Sequence, residues 1–125
     1  MLYGIGVDMV RIARVQKSLE SPAFWRRVYG AQEQALLAAL PAPRRAASAA
    51  ANFAAKEAFL KAAGAGLGGF ALAEVQALRR ESGAPYLCLC GGALAWARQN
   101  RLTAQLSLTH EGGFAAAFVV LEQAE

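Results

Sequence analysis

The stretch RRAASAAANFAAKEAFLKAA, residues 44–63, contains neither glycine nor proline and is dominated by alanine, so it predicts one long helix. Gly64 supplies the stop, and Pro41-Ala42-Pro43 breaks the chain ahead of it. The small side chains of Ala54, Ala55, Ala58, Ala62 and Ala63 let another chain segment or a ligand come close to this helix. A strand carrying Asp8 is a natural candidate for that neighbour.

Working outward, residues 2–8 read as a strand ending at Asp8. Arg11 to Glu20 reads as a helix with Ile12, Val15 and Leu19 on one face and Arg11, Arg14 and Lys17 on another. Ser21-Pro22 opens a helix that Gly30 closes, and a short helix over Gln32 to Leu40 follows. Beyond the long helix, strands over Ala71 to Glu81 and Pro85 to Cys90 flank a turn at Ser82-Gly83-Ala84. A helix over Ala93 to Asn100 precedes strands over Thr103 to Thr109 and Phe114 to Glu122, joined across Glu111-Gly112-Gly113. The fold class is therefore α+β, a mostly antiparallel sheet packed on one long helix and several short helices; the irregular order argues against a doubly wound parallel sheet.

A chain of 125 residues with 56% hydrophobic content suits one domain over residues 1–125 with a single core. The net charge of +4, with only 18% charged residues, is a surface bias that favours phosphate-rich or acidic partners. The first ten residues lack a basic start and a long apolar run, and Asp8 and Arg11 would interrupt a signal peptide, which points to the cytoplasm. No apolar run approaches the roughly 18 residues of a spanning helix, so the reading is of a protein with no membrane partner. Cys88 and Cys90 lie one residue apart on one face of a strand, a spacing poorly suited to a disulfide, and read as small core residues. With His110 they match none of the usual zinc spacings.

Three segments carry chemistry. Asp8 stands alone in the apolar run Gly4-Ile5-Gly6-Val7-Asp8-Met9-Val10, and its plain role is to cap the helix that follows. Glu57 and Lys61 share a helix face, where their plain role is an exposed ion pair worth only a few tenths of a kcal/mol. Brought together, Asp8 and Glu57 make an oxygen-only site of the kind that holds Mg²⁺ with waters and phosphate oxygens. Lys61 can then neutralise a diphosphate. His110, the only histidine, ends a strand before a glycine turn; it can meet a phosphate as a cation or pair with a backbone carbonyl. The loop from Gly64 to Gly69 offers backbone N–H groups to a phosphate, but it lacks the ending of a P-loop and follows a helix.

The segments Gly4-Ile5-Gly6-Val7-Asp8, Phe53-Ala54-Ala55-Lys56-Glu57-Ala58 with Lys61, Gly83-Ala84-Pro85-Tyr86 and Ser107-Leu108-Thr109-His110-Glu111 closely resemble the holo-[acyl-carrier-protein] synthase family, the small bacterial 4'-phosphopantetheinyl transferases. The resemblance implies that family's fold and its reaction, transfer of 4'-phosphopantetheine from coenzyme A to a serine of apo acyl carrier protein in fatty acid biosynthesis, with Mg²⁺. It implies Asp8 and Glu57 as metal ligands, with Lys61 and His110 near the phosphates. The proton acceptor is left open among Glu57, Glu111 through a water, and a metal-bound water. Gly83 and Pro85 would touch the adenine end, and Gly64 would belong to the cofactor site. The family is similar to a trimer with its sites between protomers, and its acidic carrier docks on the basic helix, here Arg14 with Arg11 and Lys17; no nucleic acid is implied.

Three positions depart from the family pattern. Arg11 stands where an acidic residue is common, and Ala84 where a basic one is. Asn52 stands where an arginine usually precedes Phe-Ala-Ala-Lys-Glu, which removes a charge expected near the 3'-phosphate of coenzyme A; Arg45 or the adjacent Arg44 could replace it. The same charges would also serve a Mg²⁺-dependent nucleotide or diphosphate hydrolase, or, without catalysis, a basic module that binds an acidic protein.

Overall fold

The computed structural model describes residues 1–64 and 69–125. Strand β1 (Leu2–Arg11) leads directly into helix α1 (Ile12–Ser18), followed by α2 (Pro22–Val28), α3 (Ala31–Ala38) and the long α4 (Ala42–Ala63). A 3-10 turn (Leu72–Glu74), the hairpin β2 (Val75–Arg79) and β3 (Pro85–Leu89), helix α5 (Gly91–Gln99) and the strands β4 (Leu102–Glu111) and β5 (Phe114–Gln123) complete the described chain. β1, β5 and β4 form one antiparallel sheet in that order, while β2 and β3 pair on their own. The α+β class expected from the sequence is the class observed.

Helix α4 runs over one face of the three-stranded sheet. Ala54, Ala55, Ala58, Phe59 and Ala62 bury there against Ala117, Val119 and Leu121 of β5. The approach to β1 is closest of all: a Cβ added to Gly6 would collide with the Ala58 carbonyl, and one on Gly4 with the Ala62 carbonyl. Glycine on the strand and alanine on the helix thus bring two backbones into direct contact. Gly64 ends α4 in the left-handed region (φ 72°), as its freedom from a Cβ allows.

A second cluster, with Val15, Val28, Tyr29, Leu37, Ala49 and Ala50, packs the three short helices onto the first half of α4. Between the clusters lies a buried polar knot. Lys56 of α4 is fully buried and donates to Glu33 Oε1 of α3 and to the carbonyls of Leu72 (3.0 Å) and Val75 (2.7 Å). Burial pushes the Lys56 amine down, and the Glu33 carboxylate opposes that shift. Glu33 Oε2 accepts from Asn52 Nδ2 (3.0 Å) and from the Ala77 backbone (3.0 Å), so every lone pair that matters is used.

Several sequence expectations need correction. β1 does not stop at Asp8 but continues to Arg11, so Asp8 is a mid-strand residue, and α1 begins with no side-chain cap. Arg11 lies on the strand and not on the helix face that carries Arg14 and Lys17; its guanidinium sits over the Phe114 ring, 5.2 Å from the centroid. The strand expected over Ala71 to Glu81 is shorter at both ends, because the chain first makes the 3-10 turn and then gives way to the hairpin turn. Cys88 and Cys90 are free and half-buried, and neither joins the core. Of the loop expected over Gly64 to Gly69, residues 65–68 lie outside the described residues.

Because Gly6 faces helix backbone and no flexible side chain can yield, Gly6→Ala should cost about 1–3 kcal/mol through overpacking. Urea denaturation checks this; an unchanged midpoint would mean that the helix does not rest on the strand.

Candidate active site

The close helix–strand contact sets three charged side chains at one edge of the sheet. Lys61 Nζ donates to the Val7 carbonyl (2.9 Å) and to Asp8 Oδ1 (3.3 Å), fixing the last turn of α4 on β1. Asp8 shows 19% of its side chain to solvent, and Lys61 shows 57%. Glu57, one turn before Lys61, is raised above the ordinary carboxylate range by burial first and by the Asp8 charge second, with Lys61 pulling the other way. The Asp8 and Glu57 carboxylates thus repel one another. That repulsion is what a cation relieves, and the donor set, hard oxygens without sulfur or imidazole, fits Mg²⁺.

A second set of residues lines a groove on the opposite flank of α4. Ser48 and Ala51 of the helix, Leu108, Thr109 and His110 of β4, and Arg79, Gly83 and Pro85 of the hairpin line it. Arg44 and Pro43 extend the same groove beyond His110. Gly83 is needed where it stands: its φ of 93° belongs to the tight turn in which its N–H bonds the Arg80 carbonyl (2.9 Å). The structure therefore groups Asp8, Glu57 and Lys61 in one place and His110, Gly83 and Pro85 in another. Asp8 is on one edge strand of the sheet and His110 on the other, with β5 between them.

Three residues expected at the cofactor site, and one candidate proton acceptor, are placed elsewhere. Arg45 caps the end of α3 by donating to the carbonyls of Leu37 (3.0 Å), Ala38 (3.2 Å) and Leu40 (2.8 Å), so it cannot stand in for the missing arginine. Asn52 is fully buried, its amide nitrogen donating to Glu33 Oε2 and the Ala77 carbonyl and its oxygen accepting from Arg79. The Gly64 N–H bonds the Lys61 carbonyl (3.1 Å) and is not offered to a phosphate. Glu111 follows His110, and strand alternation turns it to the face of the sheet away from α4, with Arg11. Arg14 and Lys17 are exposed on α1, whose start lies four residues beyond Asp8. The sequence reading missed Arg79 and Ser48; the pair Arg79-Arg80 just ahead of the Gly83 turn was the available signal.

Residues 4–119 match the 4'-phosphopantetheinyl transferase superfamily. The chain belongs to that family. It is 41% identical over 126 residues to the holo-[acyl-carrier-protein] synthase of Trichlorobacter lovleyi, covering 98% of each chain. To the holo-[acyl-carrier-protein] synthase of Myxococcus xanthus it is 45% identical over 127 residues, covering 97% of this chain and 95% of that one. Among solved structures it is similar to a holo-(acyl-carrier-protein) synthase from Bacillus anthracis in complex with CoA (3',5'-ADP), with a TM-score of 0.85, 30% identity and 99% of both chains covered. The transferase fold and the antiparallel sheet under one long helix are thus those of the family.

The raised Glu57 carboxyl gives this transferase a measurable signature. Its protonated form is favoured by the fold, so its stabilising contribution is present in acid and is lost as pH rises through the raised value. Glu57→Gln should therefore raise the melting temperature of the metal-free protein at neutral pH, with the gain shrinking in acid. Added Mg²⁺ should raise the melting temperature of the unsubstituted protein and leave Glu57→Gln unmoved. A Mg²⁺ response that survives the substitution would remove Glu57 from the ligand set.

Proposed function

We propose that this chain, acting as one transferase domain, moves 4'-phosphopantetheine from coenzyme A to the serine hydroxyl of an apo acyl carrier protein, releasing adenosine 3',5'-bisphosphate. The observation that carries the reading is the cluster of Asp8, Glu57 and Lys61 on a chain similar along its whole length to holo-[acyl-carrier-protein] synthases. In the reaction the carrier's serine oxygen forms a bond to the phosphorus next to pantetheine, and the bond from that phosphorus to the bridging oxygen breaks. The leaving oxygen stays with the adenosine bisphosphate.

Asp8 and Glu57 would hold Mg²⁺, whose contribution when bound is to neutralise charge on the diphosphate. Lys61, anchored through Val7 and Asp8, adds a fixed positive charge at the same edge and orients the diphosphate against it. Glu57 receives the serine proton through a water that it holds. His110 and Ser48 face the nucleotide in the groove across the sheet.

Asp8 and His110 stand on opposite edge strands, so one protomer presents two half-sites. The open face of the sheet carries Ile5, Val7, Met9 and Phe118 at 57%, 59%, 64% and 44% exposure, an apolar surface suited to a second copy of the chain. In the homotrimer that the family resemblance implies, each site would take its carboxylates from one protomer and its groove from the next. The acidic carrier docks on Arg14 and Lys17, which follow Asp8 closely enough to deliver its serine there.

Intact-mass analysis of apo carrier protein with coenzyme A and Mg²⁺ tests the reaction: one phosphopantetheine is gained, and a chelator prevents it. Coenzyme A cleavage without a carrier would instead mark a hydrolase. Asp8→Ala and His110→Ala should each lower kcat/KM about 10²–10³-fold, yet subunit exchange between the two should restore transfer. No recovery after exchange would confine the whole site to one protomer. Arg14→Glu should raise the KM for the carrier about tenfold while leaving that for coenzyme A alone; an unchanged carrier KM would move the docking face elsewhere.

A further inference from the structure

Arg79 ends β2 half-buried and lines the His110 groove. Burial lowers its pKa, with the Glu33 charge opposing, yet a guanidinium stays charged throughout the physiological range. One of its nitrogens donates to Asn52 Oδ1 (2.9 Å) and another to the Leu78 carbonyl (3.2 Å). Neither partner is charged. The carboxylate that influences it, Glu33, is already filled by Gly30, Lys56, Asn52 and Ala77. A cation withdrawn from water, with N–H groups still to spend and an open groove before it, is built to receive an anion.

Its aim is fixed by Asn52. The Asn52 amide nitrogen is committed to Glu33 Oε2 and the Ala77 carbonyl (2.9 Å), which leaves its oxygen for Arg79 alone. Position 52 is where the family resemblance leads one to expect an arginine; here the charge arrives from the hairpin and the helix supplies the amide that holds it.

We propose that Arg79 reads the 3'-phosphate of coenzyme A, with Asn52 as its positioning residue. This rests on coenzyme A being the substrate. That molecule carries a diphosphate and one phosphate monoester; the diphosphate belongs with Asp8, Glu57 and Lys61, so the arginines of the separate groove, Arg79 and, beyond His110, Arg44, are left with the monoester, and of the two Arg79 is the one that Asn52 holds in place. A phosphate monoester can take the guanidinium fork in two parallel bonds, which a lysine cannot reproduce.

The test compares coenzyme A with 3'-dephospho-coenzyme A as donors to apo carrier protein. Arg79→Ala should lower the kcat/KM ratio of the two donors by about tenfold or more, through the KM for coenzyme A. Arg79→Lys should give an intermediate ratio. Calorimetry with adenosine 3',5'-bisphosphate against adenosine 5'-monophosphate should show the same loss of preference without any transfer. An unchanged ratio in Arg79→Ala, or an equal loss with both donors, would overturn the assignment and leave the transferase reading standing. Unsubstituted protein that makes no holo-carrier would remove the transferase reading and this assignment with it.

Discussion

The site depends on how near two backbones can come. Gly4 and Gly6 on β1 and Ala58 and Ala62 on α4 remove the side chains that ordinarily hold a helix and a sheet apart. Asp8 and Glu57 stand where they do because of this contact, and Lys61 can reach the Val7 carbonyl only across so thin a layer. Larger residues at these positions would leave the charges on the chain and dissolve the constellation. Chemistry at the sheet edge is therefore bought with small side chains in the core.

A second constraint acts from the other side of the helix. Lys56, Glu33 and Asn52 are buried together, and their bonds tie α3, α4 and β2 into one body. A buried ion pair of this kind adds little net stability over an apolar alternative, but breaking it by removing one partner is expensive. Its use here is directional: with the knot filled, Asn52 has a single free acceptor, and the hairpin arginine is the group that meets it.

Much of this was legible in the chain. Alanine without glycine or proline gave α4, and the turn residues around Gly83 and Gly112-Gly113 gave the two hairpins. Asp8, Glu57 and Lys61 could be singled out because charges in apolar surroundings stand out. What eluded a linear reading were facts of direction. Nothing local told that β1 would run on to Arg11, since its alternating side chains serve a sheet face exposed on one side. Arg45 looked like a ligand from its helix position, yet the carbonyls at the end of α3 claim it. Arg79 went unnoticed because its meaning lies in a contact 27 residues away.

Lys56 and Glu57 are adjacent in the sequence and have opposite fates. One amine is sealed in the interior among carbonyls and a carboxylate; one carboxyl opens beside Asp8. A scan that replaced each in turn would score both as inactive and record them as a single signature of chemistry. Only one of the two defects would be chemical. The other would be architectural, a helix no longer seated on its neighbours, and it would yield to cooling or to a compensating core where the loss of Glu57 would not.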